Sequence, residues 1–233
     1  RHPHLVQLIK FHGFDIFGTQ EGFKHQLEDV KAKLPGFEYI GVGREDGKEG
    51  GEFSAIFYNT QKFELLKYDN FWLAEDTEKP NRGWDAGLVR VCTWGLFKDV
   101  RTGFQFFLFN AHFDHVGVEA RKESAKLIIR KAHELGSDTP MIITGDFNVD
   151  QNSEGYHTLN NSGTVKDAYE LSPLKYAPNG TFNGFDTNRA SDSRIDHIFL
   201  SKPFHVVRYG ILTDNYQGKL PSDHYPVMAE VHY

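Results

Sequence analysis

Sulfur is nearly missing from the sequence: one cysteine, Cys92, and two methionines stand among 233 residues. A single cysteine excludes an internal disulfide and any zinc site built on cysteines alone. It leaves the compartment open. No apolar run approaches the length of a membrane span, and the Phe-Phe-Leu-Phe at 106–109 is typical of the longest. Positive charge is also in short supply, with 26 Lys and Arg against 32 Asp and Glu, a net charge of −6. That balance argues against a protein that grips duplex nucleic acid through a broad basic face, although a metal site can still handle phosphate locally. Repeats and low-complexity tracts are absent. The first residues are Arg1-His2-Pro3 rather than Met, so a start or targeting segment is expected to lie outside this sequence.

What the sequence does have is phenylalanine, 20 against 10 Tyr and 3 Trp, within an ordinary globular composition of 39% hydrophobic and 25% charged residues. A chain of this length buries a sizeable core without a covalent staple. Apolar residues at helical spacing predict three helices: Leu5, Leu8, Ile9 and His12; Phe23, Leu27, Val30 and Leu34, stopped by Pro35-Gly36; and Ala125, Ile128, Ala132 and Leu135, ended by Gly136. Strands are expected over 14–18, 53–58, 88–97, 104–113, 141–144, 194–200 and 227–232. Continuously apolar strands need cover on both faces, which packed sheets with outer helices supply. The polar stretch 75–85 reads as a long loop, so residues 1–233 are expected to form one domain.

Chemistry collects where polar residues interrupt apolar strands. Thr19-Gln20-Glu21 follows the strand at 14–18, where a carboxylate suits a hard cation. The plain alternative is a first-turn acid of the next helix. In Gly145-Asp146-Phe147-Asn148, the acid and the amide lie two apart and share one face of an extended chain. Asn110 and His112 share a face in the same way. Asp196 lies on an otherwise apolar strand, where a carboxylate is costly without a partner. Histidine is the natural one, with a salt bridge to Arg194 as the structural alternative. Ser222-Asp223-His224 places an acid beside a base between two prolines. Each motif has a structural reading as a cap, turn or core residue, but five of them in one chain make coincidence a poor account.

In this order, Gln20-Glu21, His112, Gly145-Asp146-Phe147-Asn148, Arg194-Ile195-Asp196 and Ser222-Asp223-His224 resemble the endonuclease/exonuclease/phosphatase superfamily. The resemblance runs from Leu5 to the end. Gly50-Gly51-Glu52-Phe53 and the loop near Trp84 look closest to bacterial members of the deadenylase type. It implies a four-layered α/β/β/α sandwich of two mixed sheets with outer helices, and phosphoester hydrolysis with Mg²⁺ or Mn²⁺. Oxygen ligands, without a histidine pair at zinc spacing, agree with that metal.

Carried onto this sequence, the resemblance makes Glu21 the metal ligand, with Asp223 assisting the metal or Asn148. Asp146 orients or deprotonates the attacking water, and Asn148 holds the phosphoryl group. His224 is the acid/base, oriented by Asp196. His112 and Arg90 contact phosphate oxygens, and Glu52 orients His112. The carboxylate–histidine pairs Glu52–His112 and Asp196–His224 would make both imidazoles cationic. The superfamily opens with a strand ending in Asn ahead of the first helix. Here the sequence starts at the helix, so that strand is expected to be missing beside 14–18. A phosphodiesterase or nuclease is the favoured activity. Phosphomonoesters or lipid headgroups are the alternatives, although no apolar hairpin for a lipid is present. A dead binding module would have lost the Asp or His of the key motifs. Partners are expected to be a phosphoester substrate, with nucleic acid and nucleotides among the candidates, and no partner protein is evident.

Overall fold

The computed structural model describes residues 2–233. In chain order the elements are α1 (His2–His12), β1 (Ile16–Gly18), α2 (Lys24–Lys33), β2 (Phe37–Ile40), β3 (Ile56–Asn59), β4 (Phe63–Trp72), β5 (Val91–Asp99), β6 (Gln105–His112), α3 (Val118–Gly136), β7 (Met141–Asp146), α4 (Glu154–Asn160), β8 (Lys166–Asp167), α5 (Ala168–Leu171), β9 (Lys175–Tyr176), β10 (Asp196–Leu200), β11 (His205–Ile211) and β12 (Val227–His232). Among the described residues, no helix is long and apolar enough to cross a membrane.

One mixed sheet has the order β4-β5-β6-β7-β10-β8, with β6 and β7 parallel. Its centre explains the phenylalanines. All of β6 except its first residue is buried, because both of its faces are covered. Phe107, Phe109 and Ala111 point into a core shared with α3 and α4, while Phe106 and Leu108 point the other way, toward Ile56, Tyr58, Tyr209 and Ile211. Truncating a ring such as Phe109 to Ala would cost about 3–5 kcal/mol. The second sheet layer packs on that inner face, and α1 and α2 cover its far side through Val6, Ile9, Leu27 and Val30. The fold is therefore the expected α/β/β/α sandwich.

The second sheet layer is made of two hydrogen-bonded pieces, β1-β3-β2 and β12-β11-β9. Among the described residues, β1 pairs only with β3, and β12 only with β11. Both line one groove, together with Leu5, Phe14, Pro226 and Met228, so the unpaired position expected beside residues 14–18 is present.

The sequence reading omits β2, β4, β11 and the short β8, β9, α4 and α5. A bulge accounts for two of these omissions. In β11 the register shifts between Val206 and Arg208, so the buried Val206 and Tyr209 stand three apart instead of two. In β4 a similar shift falls between Leu65 and Lys67, and the strand is an edge with an exposed middle. Four residues for β2, seven for α4 and four for α5 are too few for periodicity to register.

Candidate active site

Three neighbouring strands bring the polar residues together by register. His112 of β6 lies opposite Asp146 of β7, which lies opposite Asp196 of β10. Because side chains alternate along a strand, all three project from the inner face at one end of the sheet. Gly145 makes the approach possible, since a Cβ there would overlap the Ala111 carbonyl oxygen. Asn110, one step down this face, is fully buried and serves the fold: its amide donates to the Thr19 and Ala55 carbonyls and accepts from Gln20 and Thr144. It ties the end of β1, and hence Glu21, to the six-stranded sheet.

Loops complete the site. The loop before β12 delivers His224, whose Nδ1 lies 2.8 Å from Asp196 Oδ2. Ser222 Oγ accepts the His224 backbone N–H at 3.1 Å. Thr181 Oγ1 accepts the N–H groups of Ile195 and Asp196. Phe182 sets its ring edge-on to His224 at 5.0 Å. One Asp146 oxygen accepts the Asn148 backbone N–H at 2.9 Å. The other faces His112 Nε2 at 3.4 Å and His224 Nε2 at 3.8 Å. Asn148 donates its amide to the Phe113 carbonyl at 3.0 Å. Glu21 and Asn148 both have left-handed backbones, with φ of 60° and 49°. Asn tolerates this conformation, whereas at Glu21 it stores about 1–3 kcal/mol of strain of the kind found at functional sites.

The expected Asp196–His224 pair is formed, and the expected Glu52–His112 pair is not. Glu52 Oε2 binds Arg44 Nη1 at 2.5 Å. The carboxylates nearest His112 Nε2 are Asp146 and, at 4.0 Å, Glu21. The loop carrying Glu52 folds back on itself, with Arg44 N–H donating to the Glu52 carbonyl, so the nearest cation to Glu52 is local. Arg90 is buried on the cavity wall, with Nε 3.5 Å from Asp114 and Nη2 3.2 Å from His115 Nδ1. Arg194 binds Asp167, not Asp196.

The expectation of two cationic imidazoles is also corrected. Burial would lower the pKa of His224, but the hydrogen bond and charge of Asp196, helped by Asp146 and Asp223, push it up to about 9. For His112, burial and the charges of Arg90 and Arg44 act together and hold the pKa well below 6.5. At neutral pH, His224 is an imidazolium and His112 a neutral ring. Burial and Asp196 raise Asp146 to about 7, within reach of a general base at neutral pH.

Burial, Glu52 and Asp223 likewise raise the pKa of Glu21. Carboxylates crowded until they resist ionising are short of a cation, and their hard oxygens suit Mg²⁺ or Mn²⁺. A tighter trio, Asp146, Asp196 and His224, has ligand atoms within 4.8 Å of one another. A metal there would need His224 to give up its Nε2 proton against the pull of Asp196, so the Glu21 and Asp223 side of the cavity is the better candidate.

The sequence reading missed Arg44, Asp114, His115 and Phe182. Asp114 accepts backbone N–H groups from Gly87, Leu88, Val116 and Gly117, fixing the rim loops. It stands two residues after His112, but two of its donors, Gly87 and Leu88, come from a loop 27 and 26 residues away. Together, Glu21, Glu52, Arg90, His112, Asp146, Asn148, Asp223 and His224 line one cavity of about 350 Å³.

A sandwich of this kind, with an acid–imidazole chain and crowded carboxylates at one end of the sheets, defines a phosphohydrolase. The endonuclease/exonuclease/phosphatase family profile matches residues 3–224, and the chain belongs to that family. Enzymes of the family are generally dependent on divalent metals. A mannosyl-6-phosphatase of Bacteroides thetaiotaomicron is 52% identical, with a TM-score of 0.97 over 100% of this chain and 91% of that one. A family member from Bacteroides vulgatus is 42% identical, with a TM-score of 0.95 over 100% and 90% of the two chains. An uncharacterized protein of Acanthamoeba polyphaga mimivirus is 26% identical, over 96% of this chain and 88% of its own length. None of these three carries a deadenylase name.

Proposed function

We propose that this protein hydrolyses a phosphomonoester borne on a carbohydrate, with Mg²⁺ or Mn²⁺ held by Glu21 and Asp223. The reading is carried by the chain Asp196–His224–Asp146, whose last two members line the cavity. The monoester choice is supported by the 52% identity, along the whole chain, to a mannosyl-6-phosphatase. A cavity of about 350 Å³ suits a small ligand.

The roles follow from geometry and charge. A bound cation supplies Lewis-acid charge to the phosphoryl oxygens. Asp146, with one oxygen tied by Asn148 N–H, turns its other oxygen to an attacking water and takes its proton. As the water oxygen bonds to phosphorus, the bond from phosphorus to the sugar oxygen breaks. That oxygen takes a proton from solvent at the cavity mouth, giving inorganic phosphate and the free sugar. The His224 imidazolium and the Asn148 amide donate to the phosphoryl oxygens as charge builds on them. Neutral His112 adds a hydrogen bond without a charge.

A phosphodiesterase or nuclease using these residues is the competing outcome. A turnover screen separates the two, using hexose 6-phosphates, p-nitrophenyl phosphate, bis-p-nitrophenyl phosphate and an oligonucleotide, each with Mg²⁺ and with chelator. Phosphate release from the monoesters, abolished by chelator and cut at least tenfold by Glu21→Gln at limiting Mg²⁺, is expected. Faster turnover of the diesters, or indifference to chelator, overturns the reading.

A further inference from the structure

A second, smaller cleft opens off the cavity. Glu21, Arg44, Glu52, Arg90 and His112 line both. Its volume is about 10 Å³, room for a single oxygen-sized group. One wall carries two guanidinium groups, Arg44 and Arg90; Arg44 Nη1 already binds Glu52, which leaves its other N–H groups for a ligand. Arg44 is fixed at its backbone, with N–H donating to the Glu52 carbonyl and C=O accepting from Trp72 Nε1 at 2.8 Å, and its side chain is 12% exposed. Behind it, Arg90 is 4% exposed, and its Nη1 has no hydrogen-bond partner. Asp114, the acid beside Arg90, already accepts four backbone N–H groups, so it compensates that guanidinium only in part. A buried guanidinium with an unfilled donor is costly until an acceptor arrives.

The oxygens of the substrate supply such an acceptor. A phosphomonoester has three oxygens without substituents, and a diester has two. With one toward the metal side and one toward Asn148 and His224, a monoester has a third, anionic oxygen left over. In a diester that position carries a carbon chain. We infer that the cleft walled by Arg44 and Arg90 receives this third oxygen, and that Arg44 thereby selects terminal phosphates over phosphodiesters. The inference rests on the monoesterase reading above. Guanidinium donors match an anionic oxygen in charge and geometry, and a cleft of this size has no room for an ester arm.

The test compares kcat/KM for p-nitrophenyl phosphate and bis-p-nitrophenyl phosphate in the wild type, Arg44→Gln and Arg44→Lys. Inorganic phosphate affinity is measured alongside by calorimetry, and folding by thermal melting. Arg44→Gln is expected to lower the monoester-to-diester ratio at least thirtyfold and to weaken phosphate binding at least tenfold. Arg44→Lys should recover part of both. Equal losses on the two substrates, or an unchanged ratio with unchanged phosphate affinity, overturn the inference and leave the monoesterase reading standing. If Arg44→Gln melts early, the folded Arg44→Lys variant decides: a wild-type ratio and phosphate affinity there overturn the inference, and a lowered ratio supports it. A wild type that prefers the diester defeats the reading itself.

Discussion

His224 and His112 direct Nε2 at the same Asp146 oxygen, from 3.8 and 3.4 Å, yet they carry different charge. His224 arrives on a loop and meets a carboxylate on its other nitrogen. His112 is fixed on the central strand, with two guanidinium groups behind it. Both rings face the same carboxylate, so the difference between them comes from burial and from the groups behind each, Asp196 for His224 and Arg90 and Arg44 for His112. In the proposed reaction one cationic and one neutral imidazole would divide the work, the first offsetting developing charge and the second placing a hydrogen bond without adding repulsion to Arg44 and Arg90.

The largest effect should come from breaking the charged half. Asp146→Asn and His224→Ala are each expected to lower kcat by about 10²–10⁴. If the two act as one unit, the double variant will be little worse than the poorer single. Strictly additive losses, measured on the preferred monoester with saturating Mg²⁺, would assign them independent roles.

Asp196→Asn tests the origin of the charge on His224. The folded-state pKa, about 9, lies above the usual 6.5, so the imidazolium persists to about pH 9 and is lost above it. Activity that needs the cation should therefore fall as pH rises through about 9. The pair's contribution to stability should likewise be complete below about 6.5 and disappear as pH rises through 9. In Asp196→Asn the main cause of the raised pKa is gone while burial remains, so the alkaline limb of kcat should move down by at least one pH unit. A limb that stays put would mean that another group sets it.

The sequence exposed one half of this comparison better than the other. Asp146 and Asn148 were legible from period-two spacing, Asp196 from the cost of a carboxylate on an apolar strand, and His224 from an acid beside a base between two prolines. The layered fold was legible from the Phe-rich strands. The register that aligns His112, Asp146 and Asp196 was not, since strand order is a long-range property. Nor was the environment of His112. Arg44 sits in a glycine-rich loop 68 positions earlier in the chain, and nothing local marks it as facing an imidazole. The strands interrupted by bulges, β4 and β11, escaped for a related reason: one extra residue destroys the alternation that would reveal them.

The smallest effect sharpens the comparison furthest. If Glu52 oriented His112 as Asp196 orients His224, Glu52→Gln would cost as much as Asp196→Asn and would move a pH limb. Here Glu52 binds Arg44 instead, and its charge also helps to raise the pKa of Glu21. Removing that charge leaves His112 neutral, because burial, Arg90 and Arg44 all remain. The expected result is a kcat within tenfold of wild type, with an unshifted alkaline limb. The His112 ring should stay neutral across pH 6–8 by NMR of its ring carbons in the metal-loaded protein. A loss matching that of Asp196→Asn, or a His112 signal that titrates near neutrality only in the wild type, would restore the symmetric pairing and remove the distinction between the two histidines.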